Sequence, residues 1–308
     1  MPIASAPLFL DPIYNGAADP MIIKNEQDGK YYLFYTQRRA TAKIPNSVSY
    51  CYGSKIGVAQ ANEDGSYWFY RGTLDLEFEF GDNTFWAPEI VWDDSKNLYH
   101  MYVSYIRGIH SKWYGDSCII HYISSDLFSW KMIGQIKLNS NRVIDPCIFK
   151  LDNGIYRMWY KDGVTSYTCY ADSEDLYNWE YKGICTNDCC QEGPNVFEFE
   201  GKYWLIADEW NGLAVYCSDD LSNFIRQDGK RLLTGNGSRN FDRGVGRHAD
   251  VITQNGRAFI VYFTHYNDDE NIESADNHEF TAVQVAELEI VNGKLCCNRD
   301  KEVEIHLE

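Results

Sequence analysis

The sequence predicts an all-β protein: a five-bladed β-propeller that forms a single domain over residues 1–308. A strand–turn–strand unit recurs five times, a second short signature follows three of these units, and few segments show a helical period. Such repeats typically build blades of about four short antiparallel strands around a channel. We place the blades at about residues 15–75, 84–138, 142–184, 190–232 and 245–295.

Each unit has a first strand, a turn that contains Gly in most units, and an aromatic second strand. The first strands begin at Asp19-Pro20, Ala87-Pro88, Asp145-Pro146, Glu192-Gly193 and His248-Ala249. Ala87 lies 15 residues before Tyr102, this interval recurs in the last three units, and the first unit has one residue more. Turns such as Asn-Gly between apolar runs predict β-hairpins. A β-sandwich would explain the alternation but not five repeats in register.

The first strand of a blade lines the central channel of a propeller. We therefore expect Asp19, Ala87, Asp145, Glu192 and His248 to form a ring at one mouth of the channel. The short segment before Asp19 is expected to close the circle by pairing with the last blade.

The second signature has the form Ser-x-Asp-Leu-x-x-aromatic. It begins at Ser124, Ser173 and Ser218 and ends at Trp130, Trp179 and Phe224. Ser and Asp side chains cap tight turns, and the Leu and the aromatic residue would seal one edge of each blade.

The composition excludes some partners. The chain has 308 residues, 44% of them hydrophobic, and a net charge of −17. Nucleic acids and anionic membranes need a basic surface, so we expect neither as a partner. We see no signal peptide and no apolar run long enough for a membrane span.

Cysteine usage indicates a reducing compartment. The ten Cys are scattered, and several lie inside predicted strands, where a free thiol is a small hydrophobe. Cys185, Cys189 and Cys190 lack the paired spacing that is typical of zinc sites. We expect a cytoplasmic protein without an organic cofactor.

Acidic residues stand at three of the five ring positions: Asp19, Asp145 and Glu192. Glycoside hydrolysis needs two carboxylates, one that protonates the leaving oxygen and one that activates water or attacks carbon. A third acid nearby can tune the pKa of the first, because close like charges separate their pKa values. Taken singly, each Asp-Pro could instead be only a turn at the start of a strand.

The order and phase of these motifs resemble glycoside hydrolase family 43. The matching motifs are Asp19-Pro20, Phe85-Trp86-Ala87-Pro88-Glu89, Asp145-Pro146, Glu192-Gly193-Pro194 and Arg247-His248, which together span nearly the whole chain. The family consists of inverting enzymes that act on glycans of arabinose, xylose and galactose. The resemblance implies that Asp19 is the general base, Glu192 the general acid and Asp145 the residue that tunes the acid.

The resemblance also implies other contacts with substrate and ion. The indole of Trp86 is the expected sugar platform, although it could equally be a wedge between blades, and Arg247 and Arg39 are candidate donors to sugar hydroxyls. His248 matches a histidine near a Ca²⁺ or Na⁺ ion in the channel, and calcium's preference for oxygen suggests contact through water. The alternative for His248 is a buried imidazole hydrogen-bonded between blades.

The leading functional hypothesis is an exo-acting glycosidase that releases a pentose from oligosaccharides, like an α-L-arabinofuranosidase or a β-xylosidase. One alternative is a related five-bladed enzyme acting on galactose, anhydro-galactose or fructose linkages. Another is a carbohydrate-binding propeller without activity, and a third is a platform for protein interactions. The oligomeric state is left open.

Overall fold

Twenty strands form five antiparallel sheets in a computed structural model that describes residues 2–42, 47–266 and 279–308. Each sheet is a four-stranded meander in which strands pair in chain order. A 3₁₀ turn lies at Ser49–Cys51. The prediction of a five-bladed, all-β propeller is confirmed.

The blades follow one another along the chain. Blade 1 contains β1 (Ala17–Lys24), β2 (Tyr31–Gln37), β3 (Lys55–Ala61) and β4 (Trp68–Thr73). Blade 2 contains β5 (Thr84–Asp93), β6 (Leu98–Ile106), β7 (Cys118–Ser124) and β8 (Lys131–Gln135). Blade 3 contains β9 (Val143–Lys150), β10 (Tyr156–Asp162), β11 (Tyr167–Ser173) and β12 (Glu180–Thr186). Blade 4 contains β13 (Glu192–Phe199), β14 (Lys202–Asp208), β15 (Leu213–Ser218) and β16 (Ile225–Arg226). Blade 5 contains β17 (Gly246–Gln254), β18 (Arg257–His265), β19 (Thr281–Val291) and β20 (Lys294–Cys297).

Apolar side chains are buried mainly between neighbouring blades. Met21 and Phe34 of blade 1, for example, share a cluster with Met101 and Tyr122 of blade 2. Similar clusters join the other adjacent pairs. Burial of apolar area at these contacts supplies the main force that holds the blades together.

The segment before β1 closes the circle against blade 5, as predicted. Phe9 forms a bridge with Val283 of β19, and the N–H of Leu8 donates to the Val283 carbonyl at 2.9 Å. Phe9 also packs in the cluster that joins blades 5 and 1. The first and last blades are thereby held together.

The repeated Ser-x-Asp-Leu signature caps a turn in each of three blades. In blade 2 the N–H groups of Asp126 and Leu127 donate to Ser124 Oγ at 3.1 and 3.0 Å. Leu127, Leu176 and Leu221 all have positive φ, and all are buried. The predicted role of this signature is confirmed.

Polar contacts join the first strands of neighbouring blades. The N–H of Ile22 in blade 1 donates to Asp250 Oδ2 of blade 5 at 2.8 Å, and Asn195 Nδ2 of blade 4 donates to Asp250 Oδ1 at 3.0 Å. The N–H of Ile148 in blade 3 donates to Glu89 Oε1 of blade 2 at 2.7 Å. These contacts hold the first strands together beneath the ring of acids.

Candidate active site

A pocket of about 540 Å³ opens at the mouth of the channel, and the three predicted acids Asp19, Asp145 and Glu192 all line it. They come from the first strands of blades 1, 3 and 4. Trp86 and His248 line the same pocket from blades 2 and 5. The fold thus brings together five of the predicted residues, each from a different blade.

A β-bulge in each first strand turns the backbone at the ring. One extra residue interrupts the pairing of β1, β5, β9, β13 and β17 with the following strand. Four of the bulges contain a residue with positive φ: Asp19, Ala87, Asp145 and Gly193. All four of these residues directly precede a proline. Bulges commonly re-aim side chains next to active sites.

The bulges correct the predicted register of blade 4. We expected Glu192 at the position of Asp19 and Asp145, but Gly193 takes that position, and Glu192 lies one residue earlier, where blade 2 has Trp86. The physical reason is that Gly adopts positive φ without the steric cost that a side chain carries. Glu192 nevertheless reaches the pocket.

Two basic side chains lie beside Asp19. Arg38 Nη2 and His248 Nδ1 are 3.4 and 3.6 Å from Asp19 Oδ1. Burial lowers the pKa of Arg38, but the charges of Asp19 and, more weakly, Glu192, together with Cys51 and Tyr50, outweigh it and leave the pKa above its usual value. The guanidinium therefore stays charged next to the carboxylate. Sequence analysis missed Arg38.

Glu192 accepts two hydrogen bonds, both from residues that sequence analysis did not propose as donors. Lys161 Nζ donates to Oε2 at 2.8 Å, and Trp210 Nε1 donates to Oε1 at 2.9 Å. Burial lowers the pKa of Lys161, but the Glu192 charge and hydrogen bond leave it raised. The ammonium also lies 5.2 Å from the centre of the Trp210 ring. These contacts fix the orientation of the Glu192 carboxylate.

Asp145 is almost fully buried. Its own N–H donates to Ser104 Oγ at 2.9 Å, and the N–H of Gly193 donates to its Oδ2 at 3.0 Å. Burial raises the pKa of Asp145 to about 6, with further increases from Glu192 and Asp19, while His248 acts in the opposite direction. Asp145 can therefore carry a proton at mildly acidic pH, up to about pH 6.

A fourth acid, Asp208, pairs with Glu192 across β13 and β14. Its carboxylate accepts the N–H of Trp210 at 2.7 Å and the N–H of His248 at 3.2 Å. Burial first, and the Glu192 charge second, raise the pKa of Asp208 to about 6, while Arg247 lowers it. The hairpin pairing opposite Glu192 was the sequence signal that could have found this residue.

Aromatic side chains form one wall of the pocket. Trp86 Nε1 donates to the Cys51 carbonyl at 2.6 Å, and its ring lies 5.1 Å from that of Tyr52. Trp113 follows at 6.4 Å from Trp86 and is 67% exposed. The predicted platform is thus the inner part of a longer aromatic surface.

The two arginines predicted to contact sugar lie outside the lining of the pocket. Arg39 Nε and Nη2 donate to the carbonyls of Tyr52 and Ser49 at 2.8 and 3.0 Å, while its neighbour Arg38 faces the pocket. Arg247 Nη1 is 3.9 Å from Asp208 Oδ1. Arg39 therefore holds a loop, and Arg247 supports the acid that pairs with Glu192.

The side chains of the described residues do not form a set of direct metal ligands. No group of three His, Cys, Asp or Glu is arranged there to hold an ion. Ca²⁺ takes six to eight oxygen ligands, so an ion near His248 would need water for most of its shell. The Ca²⁺ or Na⁺ in the channel stays a prediction.

No helix in the described ranges is long and apolar enough to span a membrane. The ten cysteines are free thiols.

A propeller that gathers three carboxylates, an indole and an imidazole in one pocket defines a class of protein, the five-bladed glycosidases. The glycosyl hydrolase 43-related family model, described as a probable glycosyl hydrolase domain, matches residues 11–253. The chain belongs to this family and is a glycoside hydrolase. The resemblance to family 43 is confirmed.

Known proteins share both sequence and fold with the chain. An arabinan endo-1,5-α-L-arabinosidase A of Aspergillus niger is 23% identical over 251 residues, 71% of each protein. An exo-1,5-α-L-arabinanase from a bovine ruminal metagenomic library superposes with a TM-score of 0.66, at 15% identity over 94% of this chain and 99% of that one. A β-xylosidase/α-arabinofuranosidase from a compost metagenome, solved with xylotriose in a calcium-free form, gives a TM-score of 0.66 at 16% identity over 93% and 96% of the two chains.

Proposed function

We propose that this glycoside hydrolase is an inverting, exo-acting enzyme that releases a pentose from oligosaccharides, in the manner of an α-L-arabinofuranosidase or a β-xylosidase. The convergence of Asp19, Asp145 and Glu192 in one pocket carries the proposal. Two carboxylates are the minimum for the reaction, and the third lies close enough to influence both.

In the proposed mechanism Asp19 is the general base. It takes a proton from a water that attacks the anomeric carbon. The positive charge of Arg38, 3.4 Å away, stabilises the ionised form of Asp19 that this step needs. His248, 3.6 Å from the same oxygen, lies where it can orient a sugar hydroxyl.

Glu192 is the proposed general acid, which gives its proton to the leaving oxygen. Its present contacts with Lys161 and Trp210 suit the ionised form that remains after this transfer. Asp145, whose pKa is raised to about 6, can hold a proton nearby while Glu192 is ionised. Asp145 is thus proposed to tune Glu192 through its own charge state.

Support for exo-action comes from the pocket walls. Cys51 after β2 and Trp113, Tyr114 and Gly115 after β6 line the cavity, so loops of two blades rise around it. A walled pocket suits the end of a chain, whereas an open groove suits an internal bond. Support for a pentose comes from the arabinanase and the β-xylosidase/α-arabinofuranosidase described above.

The proposed setting is cytoplasmic, where oligosaccharides rather than polymers would be the substrate. Enzymes for galactose, anhydro-galactose or fructose linkages remain the alternative within the same fold. A β-fructofuranosidase of Bombyx mori gives a TM-score of 0.69 at 14% identity, which shows the shared fold and leaves the sugar open.

The test is hydrolysis of nitrophenyl arabinofuranoside, xyloside, galactoside and galactofuranoside, followed by arabino- and xylo-oligosaccharides. We expect turnover of a pentoside, monosaccharide as the first product, and inversion of the anomeric configuration in NMR spectra taken early in the reaction. Retention would contradict the assignment of Asp19 as a base. Sugar binding without any hydrolysis would favour the non-catalytic alternative.

A further inference from the structure

The pocket carries one basic residue that the proposed mechanism does not use. Three basic side chains besides His248 line the pocket: Arg38, Lys161 and Arg142. Arg38 is paired with Asp19, and Lys161 is paired with Glu192. Among the described residues, no carboxylate lies within the 4.0 Å ion-pair distance of Arg142. Arg142 is therefore the unpaired positive charge of this pocket, in a chain with a net charge of −17.

The Arg142 side chain is positioned by its surroundings. Its Nε donates to the Gly115 carbonyl at 3.2 Å, and its backbone N–H donates to Ser140 Oγ at 3.2 Å. A Cβ at residue 115 would lie 2.3 Å from Arg142 Nη2, so the absence of a side chain at Gly115 provides the space for the guanidinium. The hydrogen bonds of the described residues leave Nη1 and Nη2 of Arg142 without an acceptor.

The acid that follows Gly115 in the chain hydrogen-bonds to other residues. Asp116 accepts hydrogen bonds from the Tyr114 hydroxyl at 3.2 Å and from Asn141 Nδ2 at 3.4 Å. A ligand that presents a negative charge to the two free nitrogens of Arg142 could form the bidentate contact that guanidinium groups favour with carboxylates.

Arg142 lies near the entrance rather than at the acids. It lies directly before β9 and three residues before Asp145. An extended strand rises roughly 3.3 Å per residue, so the two Cα atoms are about 10 Å apart. Trp113 precedes Gly115, the residue that Arg142 contacts, by two positions, and it lines the same pocket with an exposed indole. An indole face stacks on the apolar face of a sugar ring. This part of the pocket therefore suits the sugar unit next to the one that is cleaved.

We propose that Arg142 and Trp113 form a subsite for a sugar unit that carries a carboxylate, as a uronic acid does, next to the bond at the three acids. The proposal rests on the proposed function, since it assigns the substrate class of the same pocket. Trp113 supplies the stacking surface, Arg142 supplies the charge, and Gly115 keeps the guanidinium in place.

The test compares binding by calorimetry and kcat/KM for two matched probes, xylotriose and xylotriose with a glucuronic acid branch. We expect the wild-type protein to prefer the acidic probe about tenfold in 50 mM NaCl, and we expect that preference to shrink in 500 mM NaCl because salt screens exposed charges. Arg142→Gln should remove the preference and leave the neutral probe within about twofold. Gly115→Ala, which displaces the guanidinium but keeps its charge, should lose most of the preference.

Several outcomes would overturn the subsite. Equal binding of both probes by the wild type would do so, and so would equal weakening of both by Arg142→Gln. A sulfated xylotriose bound more tightly than the glucuronate probe would contradict the carboxylate assignment. Failure of the proposed function has a different result: neither probe nor any nitrophenyl glycoside is hydrolysed, while the binding measurement still decides on the subsite.

Discussion

Gly193 lies against the imidazole of His248, so close that a Cβ at residue 193 would be 2.6 Å from His248 Cγ. Gly193 also has a φ of 55°, and its N–H donates to Asp145. One residue without a side chain thus allows the close approach of blades 4 and 5 and places a donor on a buried acid. This contact accounts for the position of Glu192 one residue before the bulge.

The contact between Gly193 and His248 predicts that Gly193→Ala destabilises the protein and reduces its activity. The new methyl group would displace the imidazole of His248 and strain the backbone, so we expect a loss of more than about 2 kcal/mol in unfolding free energy and little remaining activity. Gly256→Ala is the matched control, because Gly256 has a φ of 72° and open space around it. Its cost should be about 1 kcal/mol with normal activity. Equal losses in urea denaturation would contradict the steric argument.

Asp19→Asn and Glu192→Gln should each reduce kcat by roughly 10²–10⁴-fold, because each removes one proton transfer. Both variants should keep the fold, which thermal unfolding followed by circular dichroism can check. Glu198→Gln is the control on the same strand β13, since Glu198 is exposed on the far side of the bulge. Near wild-type turnover in either acid variant would remove that residue from the mechanism.

Substitutions of the adjacent residues Arg38 and Arg39 should affect different properties of the protein. Arg38→Gln removes the cation beside Asp19, and we expect kcat/KM to fall roughly 10²-fold with a small change in stability. Arg39→Gln removes two hydrogen bonds to the carbonyls of Tyr52 and Ser49, and we expect a loss of about 1–3 kcal/mol in stability with kcat preserved. The two variants should be compared by steady-state kinetics and urea denaturation. The reverse pattern would show that Arg39, not Arg38, serves the pocket.

Asp145 should make the stability of the protein depend on pH. Its pKa is raised from 3.8 to about 6 in the folded state, so the folded state holds the proton more tightly than the unfolded chain does. The resulting stabilisation is fully present below about pH 4 and is lost as the pH rises through about 6. The unfolding free energy of Asp145→Asn should therefore rise relative to that of the wild type between pH 4 and pH 7, by at most about 3 kcal/mol.

Urea denaturation of the wild type and of Asp145→Asn at several pH values measures this difference. Asp152→Asn is the control, because Asp152 is exposed in the turn between β9 and β10. We expect its difference from the wild type to be independent of pH. A constant difference for Asp145→Asn would show that burial does not shift this carboxyl in the folded protein.

The blades could be predicted from sequence because their signals are local. Hairpin turns and the capped turns at Ser124 and Ser173 depend on residues only a few positions apart. The exact position of Glu192 in the ring could not be predicted from sequence, because the ring position could be assigned either to Glu192 or to Gly193. The difference depends on which residue takes positive φ, and that follows from packing against His248.

Partners of the acids were missed for a similar reason. Lys161 comes near the end of the second strand of blade 3, and it meets Glu192 only when blades 3 and 4 are placed side by side. Asp208 differs, because it lies opposite Glu192 in the hairpin of blade 4 and its pairing could have been read from that hairpin. Arg38 and Arg39 are neighbours in the chain, and which of them faces the channel depends on how the chain leaves β2. Such choices are made by tertiary contacts, which a single sequence does not specify.

The five bulges have a consequence for redesign. At the ring the backbone takes the same turn whether it carries Asp19, Ala87 or Asp145, so the shape of the chain and the chemistry of the side chain are separable there. New functional groups can therefore be introduced at one position without rebuilding the scaffold. Ala87 is the place to begin: it already shares the backbone geometry of two acids, and a carboxylate there would add an acid to the ring of first-strand residues.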